Sequence, residues 1–277
     1  MTLAKTGAIF RRELLYAFNS VVAYAVTTVF VLLAGYFFYN LLGYFNLASI
    51  QAMQNPAGAP GLNLTDGVVR PLFGNVAVIL ILILPLLTMR LISEERKSGT
   101  AELLFTFPIS DWDAIVGKYL ATLAVYVVML ILTVLYPLLL FKHTNPELGP
   151  IITGYLGLFL VGAAYIAMGL FFSTLSDNQM VAGVATFGCG LLFLIISWLT
   201  PFVSPTAASV LDQLSILEHF NSFSMGVLNS NDIVYYLSFI FFFLFLSSRV
   251  LARVVETDGD VGSLRWIDVL DIERRVI

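Results

Sequence analysis

Six stretches of the chain run about twenty residues or longer with no Asp, Glu, Lys or Arg outside their end turns: 21–43, 71–91, 115–141, 151–173, 180–202 and 232–250. About 20 apolar residues in a helix cross a bilayer's hydrocarbon core. In lipid every backbone N–H and C=O must be bonded within the spanning structure, which leaves helices and closed barrels. The alternation of apolar and polar residues that a barrel strand needs is absent, so each stretch is predicted to be a transmembrane helix. Composition agrees: 59% of residues are hydrophobic and 12% charged, against roughly a quarter charged in soluble domains. A soluble globule is excluded. The expected fold class is all-α integral membrane, with a six-span domain over 1–253 and a tail over 254–277. Pro85, Pro137 and Pro201 fall inside spans and read as tolerated membrane prolines.

Lysine and arginine set the expected orientation. With the N-terminus inside, the cytoplasmic set is Lys5, Arg11, Arg12, Arg90, Arg96, Lys97, Lys118, Arg249, Arg253, Arg265, Arg274 and Arg275, which leaves only Arg70 and Lys142 outside. Both termini are therefore expected in the cytoplasm. The first apolar run is longer than a signal-peptide core and reads as a span. The single cysteine, Cys189, excludes an internal disulfide, and two histidines with one cysteine leave no zinc cluster. No nucleic-acid partner is expected from a chain of net charge -4.

Outside the spans, "AKTGAIFRRELLYAF" mixes basic residues with Ile9, Phe10, Leu14 and Phe18, the pattern of an interfacial helix. Residues 44–70, with Pro56, Gly58, Pro60 and Gly61, read as a long irregular loop. Residues 203–231 place Leu211, Leu214 and Leu217 at helical spacing and read as short helices at the outer surface. In the tail, "DGDVG" lacks the later ligands of a calcium loop and reads as a solvated turn.

The most heavily charged segment is 93–118, with five acids and three bases between two apolar runs. "SEERKSGT" is a polar exit from the second span. Thr100 can cap a short helix carrying Leu103, Leu104 and Phe107, and Pro108 stops it. Ser110 and Asp113 then have the spacing of a capping box. Such a helix is either a docking element for a cytosolic partner or an interfacial anchor.

"ISEERKSGTAELLFTFPISDWDAIVGKYL" resembles the loop between spans two and three of ABC-2 type transporter permeases, through Gly99, Thr100, Glu102, Leu103, Leu104, Pro108, Gly117 and Lys118. "LSDNQMVAG" and "HFNSFSMGVLNSNDIVYYLSFIFFFLFLS" are similar to the gliding-motility (GldF-like) branch. The resemblance implies a type V exporter-like permease that works as a dimer, homo- or heterodimeric, in a bacterial inner membrane. A separate cytoplasmic ABC ATPase would hold the ATP and Mg; this chain has no phosphate-loop motif and is expected to bind no cofactor and to be no enzyme. It further implies that 100–107 is a coupling helix seated on that ATPase, with Glu94, Glu95, Arg96 and Lys97 beside it.

The lack of ionisable residues at mid-membrane depth disfavours an ion-driven transporter and favours energy delivered from outside the bilayer. Tyr24, Thr28, Tyr36, Tyr39 and Asn40 in the first span are candidates for lining a pathway. Glu218 and His219 could form an acid–base pair, but with no nucleophile or metal set beside them they read as surface residues. The alternative to transport is a mechanical subunit that drives an extracytoplasmic auxiliary protein without moving a substrate. Catalytic and metal-ligating residues are expected to be none.

Overall fold

The computed structural model describes residues 3–54, 63–98, 110–142 and 146–275. Every regular element among them is helical: α1 (Leu3–Asn19), α2 (Val21–Gln54), α3 (Arg70–Thr88), α4 (Ser93–Lys97), α5 (Asp111–Thr133) and α6 (Leu135–Phe141). These are followed by α7 (Leu148–Leu175), α8 (Gln179–Ile195), α9 (Pro205–Leu214), α10 (Ile216–Ser224) and α11 (Ser230–Arg275). A π-helical turn, Thr65–Val69, leads into α3, and a 3-10 turn, Ile196–Phe202, extends α8. Among the described residues, six helical stretches are long and apolar enough to cross a membrane: Val21–Gln54, Thr65–Lys97, Asp111–Phe141, Leu148–Leu175, Gln179–Phe202 and Ser230–Ala252. Each overlaps one predicted interval.

α7 is the hub. Of its apolar window 78% is buried, against 22% for α2 and for α8, and it packs on α3, α5, α8, α10 and α11. A helix surrounded on all sides has no polar face to offer, and α7 is apolar around its whole circumference. Its small residues let neighbours come close. A Cβ at Gly162 would overlap the ring of Tyr126, and one at Gly154 the ring of Phe73. Tyr126 is fully buried, and its hydroxyl donates to the Leu158 carbonyl at 2.6 Å. The ring therefore sits in the socket that Gly162 leaves and is tethered one turn away.

Several loop expectations are corrected. α2 does not stop at residue 43 but continues as helix to Gln54, because no breaker precedes Pro56. The π-helical turn before α3 is also regular, so the predicted irregular loop 44–70 is helical at both ends; residues 55–62 lie outside those described. Phe45 on α2 lies against Gly67 in that turn. The backbone of "DGDVG" is helical, within α11, and not a turn. The expected short helices in 203–231 are α9 and α10. α10 ends in a Schellman motif: Gly226 has φ 88°, Val227 N–H donates to Ser222 O at 3.1 Å and Gly226 N–H to Phe223 O at 3.2 Å.

α1 also differs from a helix lying alone in the interface. It packs along the first turns of α5, where a Cβ at Gly117 would meet Ile9 Cγ2 at 2.7 Å. Thr6 Oγ1 donates to Asp113 Oδ1 at 2.8 Å, and both residues are buried. That bond accounts for the failure of the predicted capping box. Ser110 makes no side-chain cap, and the Asp113 carboxylate is turned to α1 instead.

Candidate functional site

α4 has five residues, too few to hold a helix in water. Its shape comes from neighbours on three sides. Toward α7, the Ile92 and Ser93 N–H groups donate to Ser173 Oγ at 3.0 and 3.2 Å. Arg96 Nη1 donates to the Thr174 carbonyl at 3.0 Å, and the Ser93 hydroxyl donates to Met89 O, back along its own segment.

Toward α1 and α5 the bonds are ionic. Lys118 Nζ lies 2.9 Å from Glu95 Oε1 and 3.2 Å from Glu13 Oε1. Arg12 Nη2 reaches the same two carboxylates, at 2.8 Å from Glu95 and 2.6 Å from Glu13. Two cations and two anions thus alternate in a closed ring. The Lys118 side chain is 3% exposed, and an ammonium so far from water needs paired partners. Burial raises the Glu13 carboxyl, but the charges of Lys118 and Arg12 outweigh it and hold the group below its ordinary range. Burial lowers Arg12, and its bonds to Glu13 and Glu95 more than restore it, so the guanidinium is held above its ordinary value. Tyr16 donates from its hydroxyl to Glu94 Oε1 at 3.2 Å, and the negative charge of Glu94 pushes the phenol up.

The ring joins three segments far apart in sequence: α1, the exit of α3 and the start of α5. Sequence reasoning placed Glu94, Glu95, Arg96 and Lys97 together, and α4 carries all four. Lys97 is exposed. Gly99, Thr100, Glu102, Leu103, Leu104, Phe107 and Pro108 lie outside the described residues. Arg12, Glu13 and Lys118 were not among the predicted site residues. Their signal was present in the Gly117–Lys118 pair and in Glu13, the one acid of a basic N-terminal segment.

Tyr24, Thr28, Tyr36, Tyr39 and Asn40 share the half of α2 that faces away from the bundle. The buried row is Val26, Phe30, Ala34 and Phe38, four residues apart. Tyr24, Tyr36 and Tyr39 are exposed, at 59%, 62% and 78%. Thr28 Oγ1 and Asn40 Nδ2 donate to the carbonyls of Tyr24 and Tyr36, one turn earlier.

At the other end of the bundle His219 pairs with Asp232, not with Glu218. His219 Nδ1 is 2.7 Å from Asp232 Oδ1, Nε2 is 3.1 Å from the Gln213 carbonyl, and the ring stacks on Tyr235 at 3.9 Å. The Glu218 N–H donates to Ser215 Oγ in the cap of α10. This arrangement ties α9 and α10 to α11.

The family model described as "ABC-2 family transporter protein" matches residues 49–229, well over half of the chain. The chain belongs to the ABC-2 transporter family. No curated protein matches it. An ABC-2 family protein is the membrane component of an ABC transporter and associates with an ABC ATPase. The ion-pair ring falls partly inside the matched region, through Glu95 and Lys118, and partly before it, through Arg12 and Glu13.

Proposed function

We propose that this ABC-2 permease couples ATP hydrolysis by a separate ATPase subunit to export across a bacterial inner membrane, with both termini cytoplasmic. Segment 100–107 is the seat for the ATPase, which holds ATP and Mg. Two permease copies work together, and Tyr24, Thr28, Tyr36, Tyr39 and Asn40 line the path between them. The subunit belongs to the gliding-motility branch of the family.

The ring of Arg12, Glu13, Glu95 and Lys118 carries this reading. α4 immediately precedes the proposed seat, and the ring and the Ser173 and Thr174 bonds clamp α4 to α1, α5 and α7. A push on segment 100–107 is passed to three helices together, where an unclamped loop would absorb it. The test is ATPase activity of the reconstituted complex. Phe107→Asp loses partner binding, whereas Lys118→Gln keeps binding but loses most stimulation. Full stimulation in both variants rejects the assignment.

Exposed Phe202, Val210, Leu214 and Leu228 near the opposite end favour a second reading, in which the same motion drives an extracytoplasmic partner. ATP-dependent rearrangement of α9 and α10 without cargo flux selects that reading.

A further inference from the structure

Between α1, the start of α2, the end of α3, α4 and α5 lies a partly open cavity of about 360 Å³. The charges on its wall are unequal in their occupation. Arg12, Glu13, Glu95 and Lys118 close on one another in the ring. Arg90 and Glu94 line the same cavity, and neither forms an ion pair within the described residues. Arg90 Nε is buried with no hydrogen-bond partner, and Glu94 accepts from the neutral Tyr16 hydroxyl. The two are four residues apart on a helical path, with Glu94 N–H donating to Arg90 O at 3.4 Å, so they stand about one turn apart. The rest of the wall is apolar, with Val22, Leu86, Leu87, Leu91 and Val125.

We infer that this cavity holds the head of one aminophospholipid, its phosphate on Arg90, its ammonium on Glu94 and its first chain carbons on the apolar wall. A guanidinium with a free, desolvated N–H is the side chain best shaped for a phosphate. A carboxylate one turn away matches an ammonium joined to that phosphate by a short linker. At about 30 Å³ for a water-sized group, the volume takes a head and the beginning of the chains, so the tails must leave through the open side. Phosphatidylglycerol puts the same phosphate on Arg90 but offers Glu94 only neutral hydroxyls in place of an ammonium.

The inference does not rest on coupling to an ATPase, and its test needs none. The full-length chain is purified in detergent, stripped of lipid and offered dioleoylphosphatidylethanolamine or dioleoylphosphatidylglycerol, and retained lipid is counted by native mass spectrometry. The wild type is expected to keep one phosphatidylethanolamine and to prefer it over phosphatidylglycerol by about tenfold or more, the worth of a charge-assisted hydrogen bond. Glu94→Gln removes the preference, and Arg90→Gln weakens both lipids. Ala23→Phe, at the cavity wall, excludes both without altering either charge and carries the test if Arg90→Gln does not fold. Equal retention of the two lipids by the wild type overturns the inference. So does unchanged retention in Ala23→Phe, or displacement of the lipid by soluble glycerophosphoethanolamine at equal concentration.

Discussion

Lys118 is the residue on which the charged end depends. Its ammonium is out of water and satisfied by Glu13 and Glu95. Removing one member of a buried pair leaves the others uncompensated, at a cost of roughly 3–5 kcal/mol. Lys118→Met is therefore expected to lower stability by about that much in denaturant titrations in detergent. Adding Glu13→Gln should recover part of the loss, since residues sharing one network are not additive. Glu13 itself predicts a pH dependence. Its folded carboxyl titrates below the ordinary 4.5, so the native state binds fewer protons than the unfolded chain at mildly acid pH. The stabilisation is complete above that ordinary value and is lost as pH falls through the lowered one. Hydrogen exchange of α1 amides, corrected for intrinsic rate, should stay constant from neutral pH down to about 4.5 and rise below it. A rise that begins near neutral pH would mean that a different group controls the docking of α1. At this scale the sequence was only half informative. It put Glu94 to Lys97 in one cluster because they are adjacent. Nothing local indicated that Asp113 would choose Thr6 over Ser110, a partner more than a hundred positions away.

Helices were the most legible level, for a physical reason. Spans must satisfy their own backbone in lipid, so apolar length alone reveals them, and all six predicted intervals lie on observed helices. Their ends were less legible, because polarity was taken as the end of helix. α2 continues over "YFNLASIQAMQ", where polar residues return but nothing breaks the hydrogen-bond ladder. Packing was partly legible. The glycines of α7 are plain in the sequence, but not which ring fills which gap. Gly162→Ala is expected to destabilise by about 1–3 kcal/mol, the usual cost of overpacking a filled core. Tyr126→Leu in the same chain should return part of that by clearing the socket. Unfolding in mixed detergent checks both, and an unperturbed Gly162→Ala would show that the Tyr126 ring can move aside.

The whole molecule is lopsided in its burial: α7 is enclosed, while α2 and α8 leave most of their apolar windows uncovered. Lipid can cover these faces, and so can a second copy. The proposed dimer predicts that Leu32→Cys, 67% exposed on α2, forms a disulfide-linked dimer in oxidised membranes when Cys189 is replaced by Ala. Phe241→Cys, 64% exposed on α11, should stay monomeric. The reverse result would move the dimer seam to α11 and take the α2 tyrosines off any shared path.

α11 has a mechanical consequence. It is one helix from Ser230 to Arg275, yet its apolar run gives way to charge at Arg249 and Arg253. At about 1.5 Å per residue, the remainder extends roughly 35 Å beyond that apolar run. A rod of that reach is a pointer: each degree by which the sixth span tilts swings its far end by about 0.6 Å. Rotations too small to resolve among packed side chains would be magnified there into distances that a pair of fluorophores can read.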